Sequence, residues 1–120
     1  MLTNDNLIQE TLNALPAFKE KYKELKEKEV LDSESGKHIV FGYAFTPVLS
    51  DALTNGDEKT TKDMFSFLEQ MASSEDKLVV EVCDQSVLEV LNDEFDENKL
   101  EKYMGTNTKT GYKALKQYMY

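Results

Sequence analysis

The stretch DEKTTKDMFSFLEQMA, residues 57–72, decides the fold. On a wheel drawn at 100° per residue, Met64, Phe65, Phe67, Leu68, Met71 and Ala72 share one arc. Lys62, Ser66, Glu69 and Gln70 fall outside it, which is the pattern of an amphipathic helix with one face turned to a core. Asn55-Gly56 ahead of it reads as a helix stop and Asp57 as a helix start. A helix with so wide an apolar face needs neighbours to cover it, so the flanking segments are read for what they supply.

Downstream, Ser73-Ser74 punctuates and Glu75–Asn92 follows as one element. Val80-Glu81-Val82 alternates like a strand, but the length of the run favours a helix. Its apolar residues cover more than half the wheel, as expected of a central helix with several neighbours. Glu81, Asp84 and Gln85 take the remaining sector, and Leu88 falls inside that polar sector. Asp93–Asn98 reads as an acidic turn, followed by a short helix carrying Leu100, Tyr103 and Met104 that Gly105 stops. Thr106–Thr110 reads as a polar loop, and Tyr112, Leu115 and Met119 as the apolar side of a last helix whose lysines suit its C-terminal dipole.

Upstream, Ile8, Leu12 and Leu15 sit at helical spacing over Asn4–Leu15, with Thr3 or Asn4 as cap. Pro16 suits a first helical position, and Phe18, Tyr22 and Leu25 form the stripe of a second, highly charged helix. Asp32–Lys37 has loop composition. Ile39–Leu53 is open to two readings: a short strand at Ile39–Phe41 before a helix from about Pro47 to Leu53, or one longer helix beginning near Phe41 and bent at Pro47. The expectation is a single all-α domain over residues 1–120, with six or seven helices stacked as antiparallel pairs and a short strand near residues 39–41 as the main departure.

Composition narrows the function classes. There are 23 acidic residues against 14 basic ones, a net charge of −9, and every basic residue is a lysine. The guanidinium fork that grips phosphate is therefore missing, and a chain of this sign repels nucleic acid. Ten acids and only three lysines lie between Glu75 and Lys102, whereas the residues from Tyr103 onward hold three lysines and no acid. No apolar run approaches a membrane span and no signal peptide is visible, so neither a membrane nor a secretory route is expected. The lone Cys83 lies in an apolar run and reads as a buried hydrophobe in a reducing cytoplasm.

No catalytic constellation stands out. Nucleophile elbows, phosphate-binding glycine loops and zinc-binding histidine pairs are absent. The acidic run at residues 93–97 fails as a calcium loop, because it lacks the central glycine and Phe95 interrupts the ligand alternation. No catalytic residue, metal ligand or cofactor is expected, and the chain reads as a non-enzyme. Tyr103, Tyr112, Tyr118 and Tyr120 cluster near the end, where they serve either the rim of the core or an interface.

Several local patterns occur in a telling order. Pro16-Ala17-Phe18 opens a charged helix, and Phe41-Gly42-Tyr43-Ala44-Phe45 precedes another. Phe67-Leu68-Glu69-Gln70-Met71, Val87-Leu88-Glu89-Val90-Leu91 and Tyr103-Met104-Gly105 follow. Over roughly residues 12–120 the chain resembles a family of small, acidic, all-helical bacterial proteins of unknown function, similar in kind to the immunity proteins of bacterial toxin systems. Thr106 stands where that family often has proline after Met-Gly.

The resemblance, the acidic charge and the missing catalytic clusters together predict an immunity protein that neutralises a cognate toxin by occlusion. A nuclease or another basic effector is a suitable target. Glu81, Asp84, Asp93 and Glu94 are the expected charged contacts, with Leu88 and Tyr103 as desolvated anchors. A homodimeric scaffold or adaptor is the alternative.

Overall fold

The computed structural model describes residues 1–119 and contains seven helices, with no strand among the described residues. We name them α1 (Leu7–Ala14), α2 (Pro16–Glu27), α3 (residues 37–55), α4 (Glu58–Ala72), α5 (residues 77–94), α6 (Glu97–Glu101) and α7 (Thr106–Met119). α3 and α5 each carry a wide π-helical turn, at Phe41–Phe45 and Val82–Leu88.

α4 lies where its periodicity places it. Asp57 caps it by accepting from Thr60 N at 3.1 Å, and Gly56 ends α3 at φ +71°, a left-handed geometry that glycine adopts freely. Met64, Phe65, Phe67, Leu68 and Met71 are buried. α3 and α5 pack against α4, and α5 also touches α3 and α7, the central position its wide apolar arc requires.

The segment 39–41 is helical, so the short strand is not formed. α3 begins at Lys37, earlier than either sequence reading, with Gly36 as the flanking residue. Burial explains the choice. Phe41 and Phe45 lie one turn apart on the inner face, stacked at 5.0 Å between ring centroids, and both meet Phe18 of α2. Fully burying an aromatic ring contributes about 1.5–3 kcal/mol, more than strand propensity over three residues can offset. Pro47 sits just past the wide turn. In a regular α-helix its ring would collide with the Tyr43 carbonyl, and the five-residue spacing, seen in the bond from Thr46 N to Phe41 O, relieves that crowding.

The turn at Val82–Leu88 changes what α5 buries. Its backbone closes from Glu89 N to Asp84 O, five residues apart. One extra residue in a turn rotates everything beyond it by roughly one residue's angle, about 100°. Leu88, which a uniform wheel puts among the acids, is thereby carried into the core and is fully buried. The α3 and α5 turns are tied directly. Thr46 Oγ1 donates to Ser86 O at 2.6 Å, and His38 Nδ1 lies 2.7 Å from Ser86 Oγ.

Three more boundaries differ from the sequence reading. Asn4–Asn6 form a turn before α1, in which Thr3 N donates to Asn6 Oδ1. Asp93 and Glu94 complete α5, so the acidic turn shrinks to Phe95-Asp96. Residues 106–110 are helical, because α7 already starts at Thr106. Its cap comes from another helix. The Glu69 carboxylate of α4 accepts from Asn107 N (3.1 Å), Asn107 Nδ2 (2.9 Å), Thr108 N (2.8 Å) and Thr108 Oγ1 (2.8 Å). Gly105 makes room for it, since a Cβ there would lie 2.5 Å from Glu69 Oε1. Partial burial pushes the Glu69 pKa up, but the donors on Thr108 and Asn107 outweigh it and hold the carboxyl below its ordinary range.

Candidate functional site

α5 carries most of the residues expected to meet a partner. Asp76 starts it by accepting from Leu78 N with one oxygen, while the other accepts from Asn4 N at 2.7 Å, pinning the N-terminal segment to this helix. From Glu81 to Asp93 the helix rises roughly 18 Å. Glu81, Gln85 and Asp93 are exposed along it, and Glu89 is half-buried. Among the described residues no ion pair reaches Glu81, Asp84, Glu89, Asp93 or Glu94; the lysines that do pair serve Glu24, Asp63, Glu58 and Glu97. The row of carboxylates on α5 is thus left unneutralised by the chain's own cations. Glu94 alone among them is held, by Ser50 Oγ donating at 2.7 Å from α3.

Asp84 differs from its neighbours. It is half-buried where α5 faces α7, and the loss of solvent raises its pKa. It stands in an open cleft of about 360 Å³ lined by Gln85, Glu89, Gly111, Ala114, Leu115 and Tyr118. Tyr118 is 93% exposed at its edge.

The two expected anchors are not where the sequence puts them. Leu88 is a core residue and offers nothing to a partner, for the rotation described above. Tyr103 belongs to another surface: its ring stacks on Phe65 at 5.5 Å and its hydroxyl donates to Glu58 Oε1 at 2.7 Å, both on α4. The exposed apolar side chains of α5 are instead Leu78 (51%), ahead of Glu81, and Val90 (37%), between Glu89 and Asp93. A wheel rotated back by one residue beyond the wide turn would have brought Val90 to the outside, although nothing in the local sequence announces the break; Leu78 precedes the turn and is not moved by it. Of the other tyrosines, Tyr112 is buried with its hydroxyl donating to Asn92 Oδ1 at 2.6 Å, and Tyr120 lies outside the described residues.

Cys83 is buried next to Asp84, and burial pushes its thiol pKa far up, so it stays protonated. Among the described residues no group of three or more His, Cys, Asp or Glu side chains is placed to hold a metal ion. Among the same residues no helix is long and apolar enough to cross a membrane.

An all-helical body with one unneutralised acidic helix face is what fold and surface define together. The chain belongs to the family described as a domain of unknown function (DUF7674), which matches residues 8–120. Neither the curated proteins nor the solved structures returned a match.

Proposed function

We propose that this protein is a non-enzymatic binding domain that captures a basic protein partner on the outer face of α5, and that it acts as an immunity protein against a cognate bacterial toxin. The unneutralised carboxylate row on α5 carries this reading. Exposed like charges repel one another and weaken the fold, so a row without countercharges suits a surface whose cations arrive with a partner. Glu81, Asp84, Glu89 and Asp93 would steer encounter, while Leu78 and Val90 supply apolar contact that excludes water. Inhibition would be by occlusion: the acidic face covers the basic surface with which the toxin holds its own anionic substrate. A nuclease is a suitable target because its substrate carries one negative charge per phosphate.

The test is co-expression with the products of the neighbouring genes, screened for toxicity. Rescue of growth together with co-purification as a one-to-one complex is expected. Neither rescue nor co-purification, with light scattering showing a tight homodimer of the chain, would point to a self-associating scaffold instead.

A further inference from the structure

The cleft between α5 and α7 has a specific chemistry that the broad acidic face lacks. We propose that it is a socket for a single arginine side chain of the partner, with the guanidinium on Asp84 and the alkyl stem along Ala114, Leu115 and Tyr118. This deepens the partner-binding reading and rests on it.

Four observations carry it. First, no described residue gives the Asp84 side chain a hydrogen bond or an ion pair, although its carboxylate is half-buried. Partial loss of solvent without a protein partner disfavours the ionised carboxylate, whose oxygens still open onto the cleft. Second, the lysines of α7 avoid the cleft: Lys109 and Lys113 line a separate depression beside Met104, and Lys116 pairs with Glu97 at 2.6 Å. Third, Gly111 lies inside α7, where glycine is a poorer helix former than alanine. A Cβ at that position would come to 3.2 Å from Asp84 Oδ1, crowding the oxygen a ligand would reach. Fourth, the cleft combines this carboxylate and Glu89 with an apolar wall and an exposed aromatic edge. Guanidinium suits that combination, since it pairs with carboxylates through a planar fork and stacks on aromatic rings. The chain has no arginine of its own, so a guanidinium in this cleft is supplied from outside the chain.

The experiment is a titration of the isotopically labelled protein with N-acetyl-arginine amide, followed by amide chemical shifts. N-acetyl-citrulline amide, which has nearly the same shape without the charge, is the control. Saturable shifts confined to the amides around residues 84–89 and 111–118 are expected, with citrulline at least tenfold weaker. Asp84→Asn should weaken arginine binding at least tenfold. Gly111→Ala should weaken it as well while leaving the melting temperature unchanged or higher, which separates loss of the socket from loss of the fold. No saturable shift, equal shifts with citrulline, or unchanged affinity in Asp84→Asn would overturn the proposal. A cleft that binds arginine amide in a chain that captures no toxin would keep the socket and remove the immunity reading. A toxin bound with full affinity by Asp84→Asn would do the reverse.

Discussion

Replacing Glu69 tests the most consequential long-range contact in the fold. Glu69 holds the first turn of α7 with four hydrogen bonds from a helix 38 residues earlier in the chain. Loss of an N-cap costs about 0.5–2 kcal/mol, and hydrogen bonds to a charged group contribute about 1.5–3 kcal/mol. Glu69 is only partly buried, so solvent screening reduces the second figure. Glu69→Ala should therefore destabilise by about 2 kcal/mol, a fall of roughly 8 °C in Tm for a chain of this size. Glu69→Gln should cost about half as much. Its single oxygen still accepts from Thr108, but its amide group then faces the Asn107 N–H donor to donor. The pH dependence fixes the cause. The native carboxyl titrates below its ordinary value of 4.5, so its contribution is fully present above that value and is lost as pH falls through the lower folded value. The gap between parent and Glu69→Gln should be open at pH 7 and narrow steadily in acid below about pH 4.5. Urea unfolding across that range measures it, and hydrogen exchange should show faster exchange at Asn107 and Thr108 in the variant. Equal stability of parent and Glu69→Gln at pH 7, or a gap that does not change in acid, would refute the argument.

Other outcomes follow from the same geometry. Gly105→Ala should displace the Glu69 carboxylate and destabilise by about 1–2 kcal/mol, and a double-mutant cycle with Glu69→Ala should show strong non-additivity, because both changes remove one contact. Leu88→Ala should cost about 2–5 kcal/mol in thermal or urea melts, whereas Leu78→Ala should stay within about 0.5 kcal/mol, the opposite of what an unbroken helical wheel implies. Asp84→Asn should stabilise the unbound protein at pH 7. The folded pKa of Asp84 is raised, so the parent loses stability as pH climbs from the unfolded value through the folded one while the amide variant does not; urea melts at pH 3.5 and pH 7 check the sign.

Much of this architecture is readable from local pattern. α4 announces itself through Asp57, its apolar arc and the Asn55-Gly56 stop ahead of it, all of which act within one or two turns. The wide apolar circumference of residues 75–92 correctly implies a helix with several neighbours. What stays hidden depends on residues far apart in the chain. The start of α7 is capped by Glu69, and the strand-like segment at Ile39–Phe41 is drawn into a helix by Phe18 and Phe45. The π-helical turn at Val82–Leu88 is the most costly omission, because it moves Leu88 inward and Val90 outward. The acidic character of α5 was accordingly legible, whereas Leu88 and Tyr103 do not stand beside those carboxylates. Charge is a property of the sequence, while the face on which a side chain emerges depends on every turn before it.

The central claim is that the carboxylate row of α5 recruits a basic partner, and the association rate constant measures it most directly. A toxin captured in the co-expression test should be mixed by stopped flow with the parent and with the variant Glu81→Gln, Asp84→Asn, Asp93→Asn over a range of salt concentrations. Steering by these charges predicts a parent rate that falls steeply with ionic strength. At low salt the variant should associate roughly tenfold or more slowly, with a much flatter salt dependence and the two rates converging at high salt. A parent rate indifferent to salt, or a variant that associates as fast as the parent, would contradict the account.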